Sequence, residues 1–300
     1  MSQTATRGVI ERTRIAYERS VMRRQLDAVA AGKDQTLAID LNKTSVLDVG
    51  DLVMEATARQ RPGSLAHQRL AASFQRSGAA DVLVDQLASS DANRRKRGAQ
   101  LVGALGMEHA ATLLSPLLSA NEPEVRDAAA RALGRMGGTR CADLLLRAIR
   151  RRAPNRTFTV ELARAAPDLF LETALCIPRQ AGSRTAVAIA AGLRRRRAAV
   201  TPLIALLAAG SRGERAASCR ALAWIGAEIA LPMVADSMRD PDWRVRMSAV
   251  KALARLHGVG YVVELDALRT DPNPHVRKAV YFAMLRLPNR ARRPGDWAWR

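Results

Sequence analysis

A chain of 300 residues suffices for one large or two ordinary domains, and an array of repeats relaxes even that bound because it grows along one axis. The apolar share is 48% but aromatics are only 4%, which suits close helix packing and speaks against a pocket walled by aromatic rings. The formal net charge of +20 bears on partners and solubility, not on fold, and admits nucleic acid, anionic lipid or an acidic protein surface.

Cys141, Cys176 and Cys219 are odd in number and far apart, so a disulfide framework is not expected. No CxxC or Cys/His pair suggests zinc. A reducing cytoplasm is the expected compartment, with peripheral membrane contact as a variant of it. No apolar run approaches the ~18 residues of a membrane span. The first twenty residues lack an apolar signal core and carry Glu11 and Glu18.

In chain order, residues 1–31 read as one charged helix. Ile10, Tyr17, Val21 and Leu26 share part of a face, with Arg12, Arg14, Arg19, Arg23 and Arg24 around them. It is either a cap over the first repeat or a basic helix for a membrane surface or partner. Residues 32–45 are a connection. Ser45 or Thr44 caps a second helix that runs to about Arg59, before Arg61-Pro62-Gly63.

From there a period takes over. Residues 240–258, DPDWRVRMSAVKALARLHG, are its cleanest copy. Asp240 is read as the N-cap, Pro241 as the first helical residue and Gly258 as a left-handed closing residue. Val245, Ala249, Ala252, Leu253 and Leu256 make one apolar stripe. Aligned on Arg246, equivalent positions fall at His67, Arg95, Arg126, Arg156, Arg184, Arg215 and Arg277, at steps of 28 to 31 residues. Second helices are expected at 79–88, 110–119, 141–150, 201–210, 230–238 and 261–269. Each pair has one hydrophobic face and buries it only by stacking on its neighbours. Residues 153–182 hold three prolines and no Val-Arg pair. They form either a degenerate repeat or a notch that admits a partner segment.

The copies at 122–138, 240–258 and 271–287 resemble HEAT repeats, in the short bacterial form also called bilin-lyase-like. The resemblance covers about residues 64–288. It implies an all-α fold, a right-handed α-α superhelix of the HEAT/armadillo-like kind, with about seven to eight helical hairpins. The expected layout is an N-terminal helical cap or extension at 1–62, the solenoid at 63–288 and an Arg/Trp tail at 289–300. In that family the Val-Arg pair is structural: the Val enters the core, and the Arg joins a ladder with Asp residues and carbonyls between repeats. The resemblance assigns that role to Arg126, Arg246 and Arg277, with Asp240 and Asp271 as acidic partners. Arg95, Arg184 and Arg215 lack the preceding Val and depart from the pattern.

No catalytic constellation is found. His67, His109, His257 and His275 are spread over different repeats, with no HxxxH, HExxH or phosphate-loop pattern. The glycines in GALGM, GRMGG and HGVGY close helices, and the cysteines read as small core residues. Trp224, Trp243, Trp297 and Trp299 do not assemble into the aromatic cradle that HEAT-like DNA glycosylases use. No catalytic residue, cofactor or metal site is expected.

The charge is uneven. Residues 1–60 hold nine Lys/Arg and eight Asp/Glu, whereas Arg140–Arg220 holds sixteen Arg and five acids. The dense runs are Arg94, Arg95, Lys96 and Arg97; Arg150, Arg151 and Arg152 with Arg156; and Arg194, Arg195, Arg196 and Arg197. They are candidates for an anionic partner, since Arg clamps carboxylate or phosphate with two parallel hydrogen bonds. Equivalent turns stack, so the last two runs are expected on one edge. The reading is a non-enzymatic scaffold or adaptor that binds a protein partner, acidic or at an anionic membrane surface. The alternative is backbone-directed nucleic-acid binding, including a repair glycosylase, and after it a bilin-lyase-like activity.

Overall fold

The computed structural model describes residues 2–37, 46–151, 155–177 and 181–287, with side chains from residue 16 onward apart from those of 46–49 and 181. Every regular element among them is a helix. The chain divides into two compact units, Met1–Ala148 and Ile149–Arg300.

The first unit holds α1 (Ser2–Ala31), α2 (Val46–Ala58), α3 (Leu65–Arg76), α4 (Ala79–Gln86), α5 (Ala92–Ala104), α6 (Pro123–Met136) and most of α7 (Gly138–Arg151). Leu26 and Val29 are buried on α1, which packs against α2 and α3, and Arg23 meets Glu55 of α2 at 2.9 Å. α2 lies against α5, and α5 against α6. Ser64 and Asp91 start α3 and α5 by accepting the amides of His67 and Asn93, which would otherwise lack partners. The segment expected as a helix at 110–119 is instead two 3-10 turns, Glu108–Leu114 and Pro116–Ser119. Pro116 has no amide hydrogen, so the ladder of α-helical bonds cannot run through it.

The second unit holds α8 (Arg156–Ala165), α9 (Asp168–Cys176), α10 (Ala181–Leu193), α11 (Val200–Ala209), α12 (Arg212–Ile225), α13 (Leu231–Asp236), α14 (Trp243–Arg255), α15 (Val262–Ala267) and α16 (Pro274–Arg286). The first helices of the hairpins, α8, α10, α12, α14 and α16, stack side by side in that order. The second helices α9, α11, α13 and α15 each pack on the next first helix. Leu162, Leu171, Leu203, Leu222, Leu253 and Leu265 are buried between the layers, each contributing about 1.5–3 kcal/mol. Within the proline-bearing stretch the described residues form two helices: Asn155 caps α8, and Pro167 precedes α9 where no amide bond is lost. Pro154 and Pro178 lie outside the described residues.

Small residues set the stacking distance. A Cβ on Gly192 of α10 would stand 2.6 Å from the Ala221 Cα of α12, and one on Gly103 of α5 only 2.4 Å from the Ala132 Cα of α6. Any side chain there forces the helices apart, at about 1–3 kcal/mol.

Three terminal assignments of the cleanest copy shift, and Pro241 lies two residues before the helix and is not its first residue. α14 begins at Trp243, and its cap is Asp242, whose carboxylate accepts from the Arg244 amide at 2.8 Å. Asp240 lies before the helix because its oxygens already serve Arg215 and the Asp242 amide. The left-handed residue after α14 is His257, at φ 56°, while Gly258 has φ −69°.

Candidate functional site

Several of the turns from a second helix to the next first helix are tied by arginine. Arg246 gives Nε and Nη2 to the two oxygens of Asp271 at 2.7 and 2.9 Å, and Nη1 to the carbonyls of Asp240 and Pro241. Arg277 bonds the carbonyls of Asp271 and Pro272, and Arg126 those of Ala120 and Asn121. The ladder also takes in the arginines without a preceding Val. Arg215 forks onto Asp240 at 2.6 and 3.0 Å, Arg184 meets Glu214 at 2.7 Å and Arg95 meets Glu122 at 3.1 Å. The preceding residue shapes the core beneath, whereas the fork geometry depends on the Arg and on where the next carboxylate falls. Hydrogen bonding from Arg246 outweighs burial at Asp271 and, with the Asn273 amide, holds its carboxyl below the usual range. At Asp240 burial opposes ionisation, but the Arg215 bond, the Asp242 amide and the nearby guanidinium charges together keep its pKa low.

The ladder reassigns several anionic-partner candidates. Arg95 is a rung, Lys96 pairs with Glu124, and Arg97 with Asp51. Arg194 holds Asp168 at 2.9 Å, and Arg196 bridges Asp168 and Glu172 at 2.6 Å each. These side chains are engaged because stacking brings carboxylates from neighbouring elements beside them, and Arg194 and Arg196 fasten the α10–α11 turn to α9. Arg152 lies outside the described residues. Among the described residues, no carboxylate pairs with Arg94, Arg150, Arg151, Arg156, Arg195 or Arg197, and all but one of these six belong to the second unit. They do not share an edge. Arg195 and Arg197 sit where a first helix turns into its second, whereas Arg150, Arg151 and Arg156 sit at the opposite, second-to-first turn. Arg195 has φ 52°, in the left-handed region.

The first-helix layer of the second unit carries a trough of about 500 Å³ over the C-terminal halves of α12, α14 and α16. Its floor is largely alanine, and its walls include Trp224, Phe282, Arg220, Lys251, Arg255 and Arg286. The sequence reading missed this group. Its signal was the register: Arg220, Lys251 and Phe282 recur 31 residues apart, as do Trp224, Arg255 and Arg286. Trp243 takes no part. It stacks on His275 at 5.2 Å, with Arg244 over its ring. Trp297 and Trp299 lie outside the described residues.

His67 Nε2 is bonded to the Ala104 carbonyl at 2.8 Å. Cys141 and Cys219 are core thiols, and burial pushes Cys219 up to about 12, whereas Cys176 is exposed at the end of α9, contrary to a core role. No group of three His, Cys, Asp or Glu is placed to hold a metal among the described residues. Nor is any helix among them long and apolar enough to cross a membrane.

Stacked hairpins tied by an arginine ladder define an α-solenoid of the HEAT/armadillo class. The profile of HEAT repeats matches residues 80–163, 180–254 and 200–285, and the chain belongs to that family. No curated protein sequence matches it. Among solved structures it is similar to human deoxyhypusine hydroxylase in complex with glycerol, at 20% identity over 89% of this chain and 97% of that one, with a TM-score of 0.37. A designed armadillo repeat protein is similar at 19% identity, over 69% of this chain and 99% of that one, with a TM-score of 0.37. The complex of CpcE and CpcF of phycocyanin lyase from Nostoc is similar at 20% identity, over 68% and 75%, with a TM-score of 0.34.

Proposed function

We propose that the protein is a non-enzymatic scaffold that binds an acidic protein partner on the surface of its helical hairpins. One observation carries this reading: in the second unit Asp168, Glu172, Glu214, Asp240 and Asp271 are taken up by internal rungs and clamps, and among the described residues no carboxylate pairs with Arg150, Arg151, Arg156, Arg195 or Arg197. An arginine without a carboxylate partner keeps its bidentate face available to one. Arg195 supports the reading further. A non-glycine residue in the left-handed region costs about 1–2 kcal/mol, and glycine fills the matching position after α5 and α12 at Gly106 and Gly226. Membership in a repeat family supports an interaction role, because an array offers an extended surface with no need of a catalytic pocket.

The test is a cross-linking pull-down from native cells with the wild-type chain and with a variant carrying Ala at Arg150, Arg151, Arg156, Arg195 and Arg197. The expected result is an acidic protein retained by the wild type and lost from the variant. Retention of that protein by the variant sinks the reading. So does a steep, salt-dependent affinity for duplex DNA that exceeds the affinity for the protein, which moves the function to phosphate-backbone binding.

A further inference from the structure

We infer that the trough over α12, α14 and α16 is a docking site for an acidic amphipathic segment of a partner protein, one that sets apolar side chains on the alanine floor and carboxylates against the rim. This deepens the scaffold reading and rests on it. The site is separate from the five unneutralised arginines.

Two rows one helical turn apart build the trough. Arg220, Lys251 and Phe282 form one, and Trp224, Arg255 and Arg286 the other. First helices stack about 8–10 Å apart, so each row spans roughly 20 Å. Every charged side chain in the lining is a cation. Arg220 Nε donates to the Ala216 carbonyl at 3.3 Å and Arg255 Nε to the Ala223 carbonyl at 3.1 Å. These backbone bonds hold the stems, and no carboxylate among the described residues takes the guanidinium ends. Arg220 is exposed as a whole, and partial burial lowers its pKa. A carboxylate at the rim would meet guanidinium groups that have no counter-ion among the described residues.

The floor decides which anion fits. Ala223, Ala252, Ala254, Ala279 and Ala283 offer no hydrogen-bond partner from their side chains, and Phe282 is half exposed beside them. Trp224 is fixed in place: its ring lies 2.9 Å from where a Cβ on Gly192 would stand, so it rests on the α10 backbone. A sugar-phosphate chain gains nothing from an apolar floor, and a flat lipid surface cannot enter a trough. A segment that alternates acidic and apolar residues uses both parts of the site.

The probe is a fluorescein-labelled peptide of about 12 residues, Glu alternating with Leu and Phe, titrated into the full chain. Glu-to-Gln and Leu/Phe-to-Ser versions serve as controls. The expected result is saturable binding that weakens at least ~10-fold with Lys251→Glu/Arg286→Glu and with either control peptide. Phe282→Ser, at an exposed ring, weakens it as well without lowering the melting temperature. The triple variant Arg150→Glu/Arg151→Glu/Arg156→Glu binds the peptide as the wild type does.

Equal binding by Lys251→Glu/Arg286→Glu and the wild type overturns the docking site. If the triple variant then loses the peptide, the scaffold reading survives without the trough. No binding of the peptide, or retained binding of the Gln version, also overturns the docking site. Tighter binding of phosphatidylglycerol vesicles or of a single-stranded oligonucleotide, abolished by Lys251→Glu/Arg286→Glu, overturns it in favour of a polyanion.

Discussion

Arg195 and His257 stand two residues past the ends of α10 and α14, both with positive φ. The chain reverses there through the same pair of bonds: the Arg196 amide reaches back to the Ala191 carbonyl, and the Gly258 amide to that of Leu253. Glycine removes the steric cost of about 1–2 kcal/mol but gives back about 0.5–1 kcal/mol through a freer unfolded chain. Arg195→Gly and His257→Gly should therefore each raise stability by about 0.5–1 kcal/mol, read from urea melts. Only Arg195→Gly should weaken capture of the acidic partner. A stabilising change that costs binding is the mark of a strained residue kept for its side chain. Equal loss of binding from His257→Gly would remove that distinction.

Neighbouring hairpins of the second unit are joined by rungs whose carboxylate is nearly dry. The Asp271 side chain is 2% exposed and that of Arg246 13%. Arg246→Ala leaves a buried carboxylate without its counter-ion and should cost about 3 kcal/mol. The pH dependence follows from the depressed carboxyl pKa of Asp271 and Asp240. A folded-state pKa below the unfolded value of about 3.9 gives stability that is fully present above that pH. It is lost as pH falls through the folded value, so the gap between wild type and Arg246→Ala, measured by denaturant melts, should be wide at neutral pH and narrow below about pH 4. Much of this element was legible in the residues. The 31-residue spacing of Arg246 and Arg277 and the matching acids Asp240 and Asp271 marked part of the ladder, whereas Arg215, without a preceding Val, was expected to depart from it. What stayed hidden was competition for one side chain. Asp240 looked like a helix cap, and only the fork from Arg215 shows why Asp242 takes that place. The arginine runs misled for a similar reason: their pairing depends on Asp168 and Glu172, some 24 to 28 residues away in the chain. The trough was hidden because its register crosses three helices, while each helix alone reads as an alanine stripe.

At the scale of the whole molecule, an array has no single centre whose loss unfolds everything at once. In the second unit α12 is flanked by the first helices α10 and α14, whereas α16 packs on one described first helix, α14, together with α15 and the turn Leu268–Thr270. Tyr281, Phe282 and Leu285 of α16 remain exposed. Amide hydrogen exchange should accordingly be faster in α16 than in α12, by the difference of one helix-helix contact. Uniform protection from α12 to α16 would show the second unit opening as one block.

Each rung takes its arginine and bonded carbonyls from one turn and its carboxylate from the turn after it. A rung is thus a rule for addition. One further unit of 31 residues, copied from Arg215 to Val245 and set in after that same stretch, finds a carboxylate ahead and offers one behind. An insertion of another length at that point separates Arg246 from the Asp240 and Pro241 carbonyls. The ladder therefore favours change of length by duplication of whole units.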